Sequence, residues 1–287
     1  MDTIISSALA AGRTLLLEHE LLDMLQGLGL AVPGHRFVPI EAIAAGEGVD
    51  LDGLDATRGV VKVVSEQILH KSDVGGVRIV EQLSPRGVIE AGQAILGGLP
   101  PELRQGVMGV VVEEAIAFEG GLGQELLLGV RHTDELGLVY TVGFGGTHVE
   151  AMAAATRADQ ATILFKPGVT TDARLRDKLQ RALFFRWATG GVRGVEGVCA
   201  PEDLVAEIQR WVAALEAIRA AVERAGASVT ELELNPLVWS AARGSWVPVD
   251  ALLRLGPARS ARAEPPLDRL VRAISPGAVA LMGVSSR

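Results

Sequence analysis

The sequence predicts a mixed fold, α+β or α/β, in at least two lobes. Three observations predict it. Apolar residues at helical spacing open the chain, short apolar strands fill its middle, and a strand–turn–strand pattern lies near its end.

Ile4, Ile5, Leu9, Leu16, Leu17, Leu21, Leu25 and Leu28 recur at helical intervals, which predicts a helix over 3–29. Gly29 to Gly34 ends it, and the Ala- and Gly-rich stretch 41–59 is placed only loosely. Strands are predicted at Val60–Val64 and Val77–Val80, around a polar loop. A helix follows over Ser84–Leu96, with Ser84 as cap and Pro85 in the first turn. Val107–Ile116, Glu125–Arg131 and Leu136–Phe144 are separated by turn residues and read as neighbouring antiparallel strands. Residues 150–162 are Ala-rich and ambiguous. Helices are predicted over 172–188 and 201–225, then a hairpin of Glu231–Trp239 and Trp246–Leu255.

The 287 residues suffice for two or three subdomains. Aromatics make up only 4%, so Ala, Val and Leu must fill the core. A net charge of −8 argues against a sequence-independent nucleic-acid binder, yet a phosphate pocket needs only a few local donors. The single cysteine, Cys199, excludes an intrachain disulfide and a cysteine-rich zinc site, and it reads as inert. No apolar run approaches the roughly 20 residues of a membrane span. The first residues lack the basic start of a signal peptide, so a soluble cytoplasmic protein is expected.

The hairpin carries the most geometry. If Trp239 pairs with Trp246 across the turn Ser240–Ser245, Asn235 falls opposite Asp250. Alternation also puts Glu231, Glu233 and Asn235 on one face and Leu232 and Leu234 on the other. Oxygen ligands of this kind suit Mg²⁺. Pro248 marks an edge strand, so a solvated edge face fits the same residues.

Lys62 interrupts the apolar strand Val60–Val64 and must pair or point away from the core. A phosphate partner and a snorkelling surface lysine both meet that condition. His70-Lys71-Ser72-Asp73-Val74-Gly75-Gly76 comes next. Gly75 and Gly76 allow close backbone approach and offer N–H groups to an anion, and Lys71 and Ser72 add donors. His70 could act as base or nucleophile toward a phosphoryl group. A plain Gly-Gly turn is the competing reading. His19, His35, His132 and His148 show no partners in the sequence.

Taken together, VVKVVSEQILHKSDVGGVRIV, VVVEEAI…QELLLGVRHTDELGLVYTVGFGGTHVE and ELELNPLVW…WVPVD resemble the ATP-grasp domain of ADP-forming acetyl-CoA and related acyl-CoA synthetases. The β subunit of succinyl-CoA synthetase is a more distant likeness. The resemblance covers about residues 8–255 and implies an ATP-grasp fold, two lobes with a nucleotide cleft between them. It implies a domain over 1–255 with a small lobe at about 30–115, a linker at 256–266, and at 267–287 the start of a CoA-binding-like domain or a tail. It also implies ATP/ADP and Mg²⁺ as ligands. Lys62 matches a phosphate-contacting lysine and Glu113 the position holding the adenosine end at the hinge, at the far end of the cleft. Glu125 matches an acidic position near the ribose, Asn235 and Asp250 two Mg²⁺ ligands, and His70 a phosphoryl-relay histidine. A CoA-binding domain or subunit is the implied partner, with a carboxylic acid and CoA as substrates of the full enzyme. One departure stands out: where the family carries a basic residue after FGGTHVE, Arg157 and Lys166 are displaced. A non-catalytic regulatory module and a carboxylate–amine ligase are the alternatives.

Overall fold

The N-terminal leucines do not form one helix. The computed structural model describes residues 1–133, 136–146 and 149–259, and the expected tail at 267–287 lies outside the described residues, as does most of the expected linker. Helix α1 (Asp2–Ala10) ends before Gly12, whose φ of 70° breaks the helical path. Leu15–Leu16 (β1) then pairs antiparallel with the last strand of the chain, and α2 (Glu18–Gly27) begins afresh. Leu15, Leu16 and Leu17 are all buried, which three successive residues on one amphipathic helix could not achieve. Glu20 fixes the restart by accepting from the Leu17 amide at 2.8 Å and holding Arg13 through two bonds of 2.7 and 2.6 Å.

The small lobe comprises β2 (His35–Pro39), α3 (Ile40–Ala45), β3 (Gly59–Ser65), β4 (Val77–Val80), α4 (Pro85–Gly98), α5 (Pro101–Arg104) and β5 (Val107–Glu114). Its sheet runs β2-β5-β3-β4, with every pair antiparallel. Ser84 caps α4 by accepting from the Gly87 amide, and Pro85 takes the first turn. Val61 and Val63 pack with Val88 and Ile95 of α4 in one cluster, so Lys62, Val60 and Val64 share the opposite face. Val64 and Val111 on that face meet Leu17 and Phe37. The lysine strand thereby faces the start of α2.

Ten residues, 115–124, lead to the large lobe. It contains β6 (Glu125–Thr133), β7 (Gly137–Phe144), α6 (Val149–Ala155), α7 (Ala158–Ala161), β8 (Thr162–Phe165), α8 (Asp172–Arg181), α9 (Leu183–Ala188), α10 (Pro201–Arg224), β9 (Ala227–Ser240), β10 (Ser245–Pro248) and β11 (Ala251–Pro257). Among the described residues its sheet has seven strands in the order β1-β11-β9-β6-β7-β8, with β10 pairing β9. Leu204, Ile208, Trp211, Leu215, Ile218 and Val222 of α10 recur at helical spacing and bury against it.

Three further expectations need correction. The runs near 107, 125 and 136 are not three neighbours, because β5 belongs to the small sheet and only β6 and β7 pair. Val110, Val111 and Val112 are buried on both faces, as a central strand requires. The helix expected over 172–188 breaks at Ala182, whose ψ of 139° re-aims the chain and buries Phe184 and Phe185 together. Strand β11 runs through Gly256 and Pro257, positions expected in the linker. The hairpin register is as expected: Trp246 lies opposite Trp239, and Ala251 opposite Leu234. Asn235 N–H donates to Asp250 O at 3.1 Å, so these two residues stand opposite each other at the break between β10 and β11. Among the described residues no helix is long and apolar enough to cross a membrane.

The loop glycines have their own work. Gly75 adopts φ 69°, and a Cβ on Gly76 would stand 2.6 Å from Val63 Cγ1 and 2.9 Å from Lys71 O. We expect Gly76→Ala to lower stability by about 1–3 kcal/mol in urea unfolding. An unchanged midpoint would show that the loop closes by other means.

Candidate active site

A cavity of about 600 Å³ opens between the two sheets and is lined by both. Near the 115–124 connection its wall is largely apolar: Val60, Ile79, Ala115, Ile116 and Phe118. Ile79 and Phe118 are 57% and 39% exposed, unusual for large apolar groups and suited to a flat ring. Further along β3 the wall becomes ionic, with Lys62, His70, Lys71, Asn235 and Asp250.

Lys62 is the centre of that ionic wall. Its ammonium donates to Glu18 Oε1 at 2.8 Å, Glu113 Oε2 at 2.8 Å and Val249 O at 2.7 Å. The two carboxylates come from α2 and β5, and the carbonyl from the stretch between β10 and β11. Lys71 adds a second cation, 3.0 Å from Glu18 Oε2 and 3.1 Å from Asp250 Oδ1. Glu18, Lys62 and Glu113 are at most 7% exposed.

Burial opposes charge on every member, and the neighbours decide each outcome. For Glu18, desolvation pushes the pKa up, but Lys62 and Lys71 outweigh it and hold the carboxyl at about 2. Glu113 has less compensation: burial, with Glu18 adding repulsion, raises it to about 8 despite Lys62. Asp250, the most exposed member, is raised by partial desolvation and by Glu18, against the pull of both lysines. Lys62 and Lys71 are raised, because carboxylate attraction exceeds their desolvation. One proton therefore stays on Glu113 near neutral pH.

The structure brings Lys62, Glu113, Glu125, His70, Asn235 and Asp250 to one cavity. Glu113, however, is not at the far end from Lys62. Alternation along β5 aims its side chain the same way as Val111, the residue paired with Lys62, so the two meet directly. The connection is held by its neighbour Glu114, which accepts from the Gly34 amide at 3.2 Å and from Arg243. Gly75 and Gly76 do not offer their amides to an anion: these donate to Ser72 O at 3.1 Å and Lys71 O at 2.7 Å. Their place is structural. Asn235 Oδ1 accepts from the Gly146 amide at 3.0 Å, while Nδ2 donates to Glu233. Gly146, with φ 68°, packs so closely on Glu125 that a Cβ would lie 2.4 Å from its carboxylate.

Asp250 and Asn235 supply one carboxylate and one amide oxygen. Among the described residues no group of three His, Cys, Asp or Glu could hold a metal. This donor set does not suit a structural zinc, but it fits Mg²⁺, which uses one or two protein oxygens and completes its shell with water and phosphate. A cation, the Lys71 ammonium, already stands against Asp250. His70 is exposed and also lines a second cavity of about 340 Å³ beside Glu231, Glu233 and Arg254. Sequence reasoning missed Glu18, a charge read as part of one long helix. The signal available was its place directly after three successive leucines.

The sequence pattern of the ATP-grasp domain matches residues 7–255, which takes in both sheets and the whole cavity wall. The chain belongs to the ATP-grasp family. It is similar to the trans-feruloyl-CoA synthase FCS1 of an unknown prokaryotic organism, 27% identical over 88% of this chain and 32% of that protein. The ATP-grasp chain thus spans about a third of that relative's length. It is also 27% identical to subunit beta of the ADP-forming acetate–CoA ligase II of Pyrococcus furiosus, over 88% of this chain and 96% of the subunit. Among solved structures it resembles the Ca. Korarchaeum cryptofilum dinucleotide-forming acetyl-coenzyme A synthetase 1 in complex with coenzyme A and Ca-AMPCP. That match has a TM-score of 0.61 and 25% identity, covering 88% and 98% of the two chains. The same synthetase with coenzyme A and Mg-AMPPCP matches with a TM-score of 0.56 and 25% identity, over 88% of this chain and 98% of that one. The chain is therefore the ATP-grasp portion homologous to ADP-forming acyl-CoA synthetases.

Glu113 gives this site a pH signature. Its pKa is raised from 4.5 to about 8, so its contribution to stability is full below 4.5 and is lost as pH rises through 8. In urea unfolding at a series of pH values, wild type should lose up to about 1.4 kcal/mol per unit across that window. Glu113→Gln should flatten the decline, and equal slopes for both proteins would remove the shared-proton account.

Proposed function

We propose that this chain is the nucleotide-binding part of an ADP-forming acyl-CoA synthetase, which makes acyl-CoA, ADP and phosphate from a carboxylate, CoA and ATP. The observation that carries the reading is His70, an exposed imidazole shared by the 600 Å³ cleft and the 340 Å³ cavity beside it. A residue that passes a group between two sites must reach both. The known synthetase with Mg-AMPPCP has a phosphohistidine segment pointing towards its nucleotide binding site, which supports such a relay.

In this mechanism the base lies along Ile79 and Phe118, and the phosphates extend toward Lys62. The ammonium has all three N–H groups occupied. A phosphate oxygen can replace Val249 O, the one backbone acceptor, while Glu18 and Glu113 stay in place. A neutral His70 nitrogen attacks the γ-phosphorus; the N–P bond forms as the bond to the β–γ bridging oxygen breaks, and ADP leaves with that electron pair. Phosphohistidine then passes its phosphoryl group to an acceptor on a CoA-binding domain or subunit, where the carboxylic acid and CoA bind. Asn235 and Asp250 would hold Mg²⁺, which supplies charge neutralisation on the phosphates. Glu125 borders the same cleft and suits the ribose hydroxyls. The cytoplasm, which supplies ATP and CoA, is the fitting location.

A second reading, a nucleotide-sensing module without turnover, draws on the full occupancy of Lys62 and on the displaced Arg157 and Lys166. Calorimetry with Mg·ATP and a turnover assay with the CoA-binding partner separate the two. The chain by itself should bind ATP without making acyl-CoA, and the partner should restore turnover. His70→Ala should abolish turnover and keep ATP affinity. Asp250→Ala should weaken Mg·ATP binding roughly ten-fold or more with little loss of folding. Full activity of His70→Ala in the complete enzyme would leave the residue an ordinary loop histidine.

A further inference from the structure

We propose that Lys71 is a positioning residue: it holds the His70 loop to the large lobe by occupying Asp250, and a divalent ion bound there takes its place. The inference rests on the reading of Asp250 as a metal ligand and goes beyond it, because it links metal loading to the freedom of His70.

The loop between β3 and β4 is closed internally by backbone bonds, Gly76 N–H to Lys71 O at 2.7 Å and Val63 N–H to Gly76 O at 2.8 Å. His70, Ser72, Asp73 and Gly75 are exposed. Lys71 is the loop side chain that reaches across the cleft, bridging Glu18 Oε2 at 3.0 Å and Asp250 Oδ1 at 3.1 Å. The two anchors differ. Glu18 is buried and already shared with Lys62, whereas the Asp250 side chain is 48% exposed. Asp250 Oδ1 also accepts from the Ala251 amide at 3.0 Å, which fixes the carboxylate while the ammonium covers it.

A divalent ion on that carboxylate would stand within about 5 Å of the Lys71 ammonium. Two cations at that distance repel, and the ion carries the larger charge. Glu18 keeps its hold on Lys71, so the lysine has an anionic partner without Asp250. What the loop loses is its second tie, the one to the half-exposed Asp250, and it is left on Glu18 alone. His70, the next residue along, gains freedom as the metal arrives.

The test uses the full chain and Mn²⁺ without nucleotide, so its readout is independent of turnover. Hydrogen exchange of residues 66–76 and Mn²⁺ affinity by paramagnetic titration are measured together. In wild type, Mn²⁺ should speed exchange in this loop several-fold. In Lys71→Gln the loop should exchange fast with or without metal, and Mn²⁺ should bind about three- to five-fold tighter, the effect of removing one half-exposed ion pair. Lys71→Arg should restore the metal-sensitive exchange. Unchanged exchange in wild type at saturating Mn²⁺ overturns the proposal even if Lys71→Gln does not fold, and so does unaltered affinity in a folded Lys71→Gln. Asp250→Asn separates the underlying reading: Mn²⁺ binding equal to wild type would mean that Asp250 is no ligand.

Discussion

A buried ammonium requires counter-charge and hydrogen-bond acceptors, and Lys62 finds them on three separate parts of the chain. Glu18 opens α2, Glu113 lies in the neighbouring strand of the small sheet, and Val249 O belongs to the large lobe. Each ion buried here carries a desolvation cost of several kcal/mol, offset only while all the partners are in place. Removing one partner from such a cluster costs about 3–5 kcal/mol, because the remaining charges stay buried. Position 62 therefore fixes more than a contact. It sets which face of β3 meets α2, and with it the register of the small sheet against the large one.

The same cluster sets the electrostatics of the cleft. With Glu113 holding a proton, Glu18 and Asp250 balance Lys62 and Lys71, and the ionic wall is neutral as a unit. A nucleotide triphosphate brings several negative charges to a wall with no spare cation in the cluster. Positive charge has to come from outside. On the proposed function, that is the physical reason a divalent ion would be needed beside Asp250, where a carboxylate is half-exposed and its present cation is tethered elsewhere. An isolated lysine in the wall would have attracted phosphate directly, but it would have left an unpaired buried charge in the empty protein.

Much of this was legible in the sequence where one local rule dominates. The hairpin register followed from period-two alternation and a short turn, and the paired Trp239 and Trp246 rings, 5.7 Å apart, reinforce it. The Ser84–Pro85 start of α4 followed from capping chemistry. Where tertiary pairing competes with local pattern, the sequence was silent. Leu15–Leu17 has helical neighbours on both sides and becomes extended because β11 offers an edge. The partnership of β5 with β3 was hidden because alternation does not name the partner strand. Glu113 was aligned with the hinge, yet side-chain direction turns on a single residue, and Glu114 takes that place. Glu18 was invisible for a related reason: its partners, Lys62 and Lys71, lie 44 and more residues away.

The two ends of the cleft are closed by contacts of different character. At the connection, Arg243 in the β9–β10 turn donates to Val32 O at 2.8 Å and to Glu114, which in turn holds the Gly34 amide. At the other end, Lys62 crosses to the large lobe through Val249 O, and Lys71 crosses through Asp250. The first closure joins a guanidinium to a carboxylate and is strong and directional. The second combines a charge-assisted bond from the Lys62 ammonium to a carbonyl with an ion pair on the half-exposed Asp250, the more readily released of the two. Carboxylates that stay with the small lobe or α2 retain Lys62 and Lys71 when the second closure is released. In the proposed function, phosphates at the ionic end meet the half-exposed Lys71–Asp250 pair, while the connection facing the base keeps its guanidinium–carboxylate closure. The asymmetry follows from which residue supplies each acceptor, and Glu18, on a helix whose Leu21, Leu22 and Leu25 pack into the core of the large sheet, keeps a counter-charge on both lysines when the other acceptors are released.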